Sequence, residues 1–146
     1  MAKRKIWAGP ADGANCKPLI VEGLVVDDFA AGELLVQSAS GLATSALAST
    51  VLGQEAIVAH EIGAGIGGTI DTLATVGDTG FGIAVRSGEF VNVRSAVANY
   101  TSKGVALTSN GNGQVKIAGA ADDKIFYIDE IINVTVAGTL IRARKA

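Results

Sequence analysis

The spacing of glycine is the feature that most constrains what this chain can fold into. Nineteen glycines are spread along 146 residues and separate short runs rich in Val, Ile, Leu and Thr, whereas only two prolines occur. Short β-branched runs bounded by glycine-containing turns are typical of strands joined by tight connections. Sustained amphipathic helices and alternating strand–helix units are missing from the pattern. The sequence therefore predicts an all-β fold, namely an antiparallel jelly roll, sandwich or small barrel.

Roughly eight to ten short strands are predicted, and the clearest of them lie in the second half of the chain. Residues 90–94 alternate apolar and polar side chains, as a half-buried strand does. The Asn-Gly-Asn-Gly sequence of residues 110–113 is a strong turn signal, so residues 104–108 and 114–118 are expected to pair as an antiparallel hairpin. Residues 139–144 also alternate, and we expect them to form a last strand at a sheet edge.

The first fifteen residues differ from the rest of the chain. They show no periodicity, they contain the only tryptophan, Trp7, and a Gly-Pro pair interrupts them. We therefore predict an extended N-terminal arm over residues 1–15, followed by a single β domain over residues 16–146. An exposed indole is costly unless it packs on something. Trp7 is thus expected to dock either on its own domain or on a neighbouring subunit.

Positive charge is concentrated at the two ends of the chain. Six of the twelve basic residues lie there, namely Lys3, Arg4, Lys5, Arg142, Arg144 and Lys145. The other six face all fourteen acidic residues, which leaves −8 for residues 6–141. A nucleic-acid-binding domain gathers its positive charge on one folded face, so no direct nucleic-acid partner is expected. We predict that these six residues and Trp7 bind a protein partner with an acidic surface; the alternative is that they are solubilising tails.

One glycine-rich segment and one histidine suggest a binding or catalytic site, but neither has the neighbouring sequence that such a site needs. Residues 63–68 read Gly-Ala-Gly-Ile-Gly-Gly, but a dinucleotide site requires a helix after its glycines. Residues 69–76 are rich in β-branched side chains and end at Gly77, so a loop or a subunit contact is expected instead. His60 is the only histidine and has no ligand or catalytic partner at a recognised spacing. It is interpreted as a structural residue.

The remaining candidates also favour structural roles. Cys16 is the only cysteine, which excludes an internal disulfide and suits assembly in a reducing cytoplasm. Three pairs of adjacent acids would each point to opposite faces of a strand and so cannot share one site, namely Asp27 and Asp28, Asp122 and Asp123, and Asp129 and Glu130. No signal peptide is expected, and the most apolar stretch, residues 62–85, contains two aspartates, so no membrane partner is expected either. The sequence predicts neither an enzyme nor a metal or other cofactor.

Three segments resemble a known family. They are residues 19–36, LIVEGLVVDDFAAGELLV; residues 100–117, YTSKGVALTSNGNGQVKI; and residues 125–140, IFYIDEIINVTVAGTL. Their order, with Ala-Gly-Glu-Leu-Leu-Val early, Lys-Gly-Val-Ala-Leu-Thr late and a closing strand, resembles the capsid decoration, or cement, proteins of tailed bacteriophages. The similarity covers most of the chain after residue 19. It consists of a rhythm of short strands and glycines and includes no set of catalytic residues.

The resemblance implies a structural virion protein. Such proteins bind the outer face of an icosahedral capsid as small oligomers, bridge neighbouring major capsid subunits and stabilise the head, without a cofactor. The expected partners are the major capsid protein and further copies of this chain, as a homodimer or homotrimer assembled in the host bacterial cytoplasm. A mean hydropathy of +0.39 also favours buried subunit interfaces. The alternatives are a carbohydrate- or receptor-binding β-domain of a phage tail or surface protein, and a trimeric β-barrel enzyme with an inter-subunit site.

Overall fold

The computed structural model of the protein describes residues 5–9, 18–45, 57–60 and 70–146. Within these ranges the chain forms thirteen strands and no helix, which confirms the all-β prediction. The strands are β1 (Trp7–Gly9), β2 (Ile20–Leu24), β3 (Leu34–Ser38), β4 (Gly41–Thr44), β5 (Ile57–Ala59), β6 (Thr79–Ala84), β7 (Phe90–Ser95), β8 (Ala98–Tyr100), β9 (Ala106–Ser109), β10 (Val115–Ile117), β11 (Phe126–Ile128), β12 (Ile132–Val134) and β13 (Thr139–Lys145).

Five strands close into a small barrel in the order β7–β10–β9–β11–β13, and β13 pairs back onto β7. All neighbours are antiparallel except β7 and β10, which meet in parallel where Val115 lies opposite Ser95. The barrel interior follows from the alternation in β7 and β13, because Val91, Val93 and Ile141 are fully buried. Of the three architectures that the sequence left open, the structure is thus a small barrel with additional sheets.

A second sheet of five strands, in the order β2–β6–β5–β3–β4, packs beside the barrel. It curls so far that Val25, just after β2, forms a parallel bridge with Leu42 of β4. Phe29 fills the space within this curl, and Gly80 of β6 makes room for it. A Cβ atom on Gly80 would lie 2.9 Å from the Phe29 ring and 2.7 Å from Val25. A separate ribbon of β8 and β12 pairs Ile132 with Tyr100.

The largest cluster of buried side chains spans both sheets. It joins Val91, Phe126 and Ile141 of the barrel to Val58 and Ile83 of the second sheet. A smaller cluster around Phe29 and Leu42 fills the curl of the second sheet. Because one continuous apolar core runs through both sheets, separating them would expose fully buried aliphatic side chains to water.

Most of the clear strand predictions are confirmed, and one detail is wrong. The hairpin around residues 110–113 forms, with Val115 opposite Ser109 and Ile117 opposite Leu107. The last strand, β13, also forms, but it does not lie at a sheet edge. It pairs with β11 on one side and with β7 on the other, and this double pairing closes the barrel. Alternation within a strand shows which side chains face inward but says nothing about how many neighbours the strand has.

Arg94 of β7 binds the connections between β2 and β3, between β5 and β6, and between β12 and β13. Its side chain is only 11% exposed, and its guanidinium donates to three backbone carbonyls, those of Ala31 at 2.7 Å, Ile70 at 2.9 Å and Gly138 at 2.9 Å. It also pairs with Asp71 at 3.0 Å. The chain passes close to the side chain of Leu140 at Gly32, and only glycine suits this position. Its φ is +89°, and a Cβ atom there would lie 2.5 Å from Leu140.

Replacing Arg94 with Ala should therefore destabilise the fold markedly. Three carbonyls would lose a charged donor together, so we expect the free energy of unfolding to fall by about 2–4 kcal/mol. Urea unfolding monitored by circular dichroism measures this loss. Lys124→Ala, at an exposed position, is the matched control and should change the free energy by less than about 0.5 kcal/mol. Equal stability of the two variants would show that Arg94 does not hold the sheets together.

Candidate functional site

The predicted partner-binding residues begin in the N-terminal arm, where residues 5–9 are described and Lys3 and Arg4 lie outside the described residues. β1 pairs antiparallel with β7, with Trp7 opposite Val91. Ile6 is fully buried in the main core, and its carbonyl accepts a 2.7 Å hydrogen bond from the backbone N–H of Asn92. Since β10 pairs with β7 only at Ser95, β1 occupies the part of the β7 edge that β10 leaves open. This part of the arm belongs to the barrel wall.

Trp7 packs against its own domain through a buried carboxylate. Its Nε1–H donates to Oε2 of Glu89 at 2.8 Å. Arg86 donates to Oε1 of the same carboxylate from both its backbone N–H and its Nε, each at 2.8 Å. The Glu89 side chain is only 5% exposed. Of the two positions expected for Trp7, the described chain shows docking on its own domain.

The pKa of Glu89 reports the balance of forces in this cluster. Burial raises the pKa of a carboxyl group, but the hydrogen bonds from the Arg86 side chain, the Trp7 indole and the Arg86 backbone outweigh burial and lower the pKa below its ordinary value. Glu89 therefore stays ionised and holds β1 and the turn before β7 together.

Substitution of Glu89 with Gln should change how stability depends on pH. Because the pKa is lower in the folded protein, ionised Glu89 stabilises the fold above its unfolded-state pKa of about 4.3. This contribution is lost as the pH falls through the folded-state pKa. We expect Glu89→Gln to be less stable than the wild type at pH 7 and to lose less stability on acidification.

Chemical denaturation at a series of pH values from 7 to 3 measures both effects, and the emission of Trp7, the only tryptophan, reports on β1 locally. Glu22→Gln, at an exposed position on β2, is the control and should follow the wild-type pH profile. Superimposable profiles for the wild type and Glu89→Gln would contradict this role of the carboxylate.

The C-terminal basic residues lie on β13, the strand that closes the barrel. Arg142 and Arg144 are exposed and alternate with the fully buried Ile141 and Ala143. Arg142 lies opposite Asn92 and Arg144 lies opposite Phe90, both on β7. The backbone N–H of Lys145 donates to the carbonyl of Glu89 at 2.9 Å, beside the Trp7 cluster.

The two chain ends are thereby brought to opposite sides of one strand. The side-chain amide of Asn92 donates to the carbonyl of Lys5, while its backbone is registered with Arg142. Lys5, Arg142 and Arg144, here called the basic surface, thus lie along the first half of β7, whereas the half-buried Lys145 donates from its Nζ to the backbone oxygen of Ala146. The sequence predicted two separate basic ends and contained no signal that they meet. The two ends lie close together because β1 and β13 both pair with β7.

A groove of about 330 Å³ opens at one end of this surface. It is lined by Phe90, Lys103, Gly104, Tyr127, Ile128, Asp129 and Arg144. The Arg144 guanidinium lies over the Tyr127 ring, 5.9 Å from its centroid. Lys103 forms a loose ion pair with Asp129 at 3.8 Å. Of these residues, only Arg144 was predicted from the sequence to bind a partner. Tyr127 lies between the buried Phe126 and Ile128, so the alternation along β11 predicts that it faces outward. Which residues lie beside it depends on the order of the strands in the sheet.

The other sequence candidates show no catalytic arrangement within the described chain. His60 is half-buried, and its backbone N–H donates to the carbonyl of Phe81. Asp129 and Glu130 bind the backbone of Arg142, through the Asp129 N–H and the Glu130 carboxylate respectively. Among the described residues no three His, Cys, Asp or Glu side chains are grouped as metal ligands. Residues 61–69, which include the glycine-rich segment, and Cys16 lie outside the described residues.

The described ranges contain no helix that is long and apolar enough to cross a membrane. The sequence matches no protein-family model, and its comparison with curated proteins finds no relative.

Proposed function

We propose that this protein is a structural virion protein that binds the outside of a tailed-bacteriophage capsid and cements neighbouring major capsid subunits. The observation that carries the proposal is the convergence of both basic chain ends on one strand of a small all-β body. Such an arrangement suits attachment to an acidic protein surface, because clustered exposed charges speed and orient encounter. No catalytic function is proposed.

The segments that resemble decoration proteins form much of the framework of the fold. Residues 19–36 include β2 and the start of β3, residues 100–117 include β9 and β10, and residues 125–140 include β11, β12 and the start of β13. The resemblance thus involves strands of both sheets and is not confined to one hairpin.

Attachment is proposed to depend on the basic surface, with Trp7 acting indirectly. The indole already bonds Glu89 and packs on the main core, so its role would be to hold β1, and with it Lys5, against β7. Lys5 and Arg142 are exposed, so each is free to meet a carboxylate of the capsid. Lys3 and Arg4 precede this surface directly and are proposed to extend it.

Binding to capsids assembled from the phage major capsid protein tests this proposal. The Lys5→Gln/Arg142→Gln double variant should attach severalfold more weakly than the wild type at low ionic strength, and the difference should shrink as added salt screens the charges. Co-sedimentation with capsids measures attachment. Lys116→Gln/Lys124→Gln, on β10 and between β10 and β11, removes the same number of charges as a matched control and should bind as the wild type does.

Wild-type protein that fails to co-sediment with capsids, or to protect them from heat, would overturn the proposed function. Binding to a bacterial surface glycan in place of capsids would instead favour the receptor-binding alternative.

Self-association is proposed as part of the same function. Large apolar side chains are exposed on the outer face of β2, at Ile20 and Leu24, and beside the β8–β12 ribbon, at Val97 and Val136. Exposed apolar patches of this kind are typical of protein interfaces. Closed symmetry makes a dimer or trimer the default assembly.

Sedimentation velocity at micromolar concentration should therefore show a species heavier than the 14.7 kDa chain. Leu24→Glu and Val97→Glu show which of the two surfaces forms the contact. An unpaired charge that becomes buried at the contact would dissociate the oligomer, whereas a charge on the other surface would not. A wild-type protein that sediments only as a monomer would contradict self-association in the absence of the capsid.

A further inference from the structure

The groove beside the basic surface has a cation held between aromatic neighbours. Arg144 lies opposite Tyr127 on β11 and opposite Phe90 on β7, so one arginine stands between two aromatic residues on three adjacent strands. Its guanidinium rests over the Tyr127 ring at 5.9 Å. Stacking of this kind restrains the planar group while leaving its N–H donors free for a ligand, which lowers the entropy lost on binding.

Positive charge in the groove exceeds negative charge. Within the described chain Arg144 forms no ion pair, and the only carboxylate that lines the groove is Asp129. Asp129 is 3.8 Å from Lys103, beyond hydrogen-bond distance, and the Lys103 side chain is 64% exposed. The groove lining therefore carries two cations and one loosely held carboxylate, although acidic residues outnumber basic ones in the chain by fourteen to twelve.

We propose that this groove binds a carboxylate side chain presented by an extended segment of a partner protein. The Arg144 fork would bind the carboxylate, Lys103 would turn from Asp129 to share it, and Tyr127 and Phe90 would contact the apolar part of the segment. A volume of about 330 Å³ is at the small end of ligand sites and suits one or two side chains. This inference rests on the proposed function in one respect, since the partner segment would belong to the major capsid protein.

The charge distribution favours a protein carboxylate over a nucleic acid. A polynucleotide needs several Lys or Arg side chains along its backbone track, whereas the groove offers two. The chain as a whole, with a net charge of −2, would weakly repel a chain of phosphates. A single carboxylate between two cations avoids this repulsion because it places only one negative charge in the groove.

The test uses the full chain and two probes. The first is a soluble extended peptide, Ala-Leu-Glu-Leu-Ala with blocked ends, compared with its Glu→Gln form by NMR chemical-shift titration. We expect shifts at Tyr127, Lys103 and Arg144 for the Glu peptide only. Arg144→Gln should weaken binding about tenfold, as the loss of a charged hydrogen bond predicts. Lys103→Gln should weaken it less, and Lys116→Gln should leave it unchanged. Thermal unfolding shows whether each variant is folded.

The second probe is the assembled capsid, and it separates the inference from the proposed function. If the wild type binds capsids and Arg144→Gln binds them equally well, the groove inference is wrong while the function stands. If the wild type does not bind capsids, the function is wrong and the peptide titration alone decides the groove. Equal shifts with Glu and Gln peptides, or groove shifts caused by a DNA oligonucleotide instead, would overturn the inference.

Discussion

The pairing of β13 with β7 is the contact on which the rest of the structure depends. Six residue pairs, from Thr139 opposite Ser95 to Arg144 opposite Phe90, join the last strand to one near the middle of the chain. This pairing turns an open sheet into a barrel and so removes an exposed edge that would attract other chains. It also places the C-terminal arginines across β7 from the N-terminal strand. Without it neither the basic surface nor the groove would exist.

The same strand, β7, carries the attachment of the second sheet. Its backbone is shared among β13, β10 and β1, and its outward-facing Arg94 reaches three backbone carbonyls from separate segments. One arginine can do this because its planar fork presents five donors in fixed directions, and a lysine presents a single ammonium. β7 thus forms the centre of the molecule, with its buried residues in the core and its flanks occupied by both chain ends.

The position of Trp7 changes how the arm is understood. A tryptophan near a basic terminus suggests an anchor for a partner, and the described structure shows the indole engaged with Glu89 of its own domain. The cluster of Trp7, Glu89 and Arg86 connects the beginning of the chain to the turn before β7, next to the backbone of Lys145. The proposed capsid binding therefore depends on the charged side chains that this cluster positions, and the indole contributes to it only indirectly.

The sequence by itself determined the all-β class, the hairpin at residues 110–113 and the inward face of each clear strand. These depend on local physics, since glycine favours turns and period-two alternation sorts side chains between two faces. The tertiary structure alone decided that β13 is internal, that Lys5 and Arg142 share Asn92 of β7, and that Phe90, Tyr127 and Arg144 are neighbours. Strand order depends on contacts between residues that are far apart in sequence. The residue pattern within one strand does not reveal which other strand it will pair with.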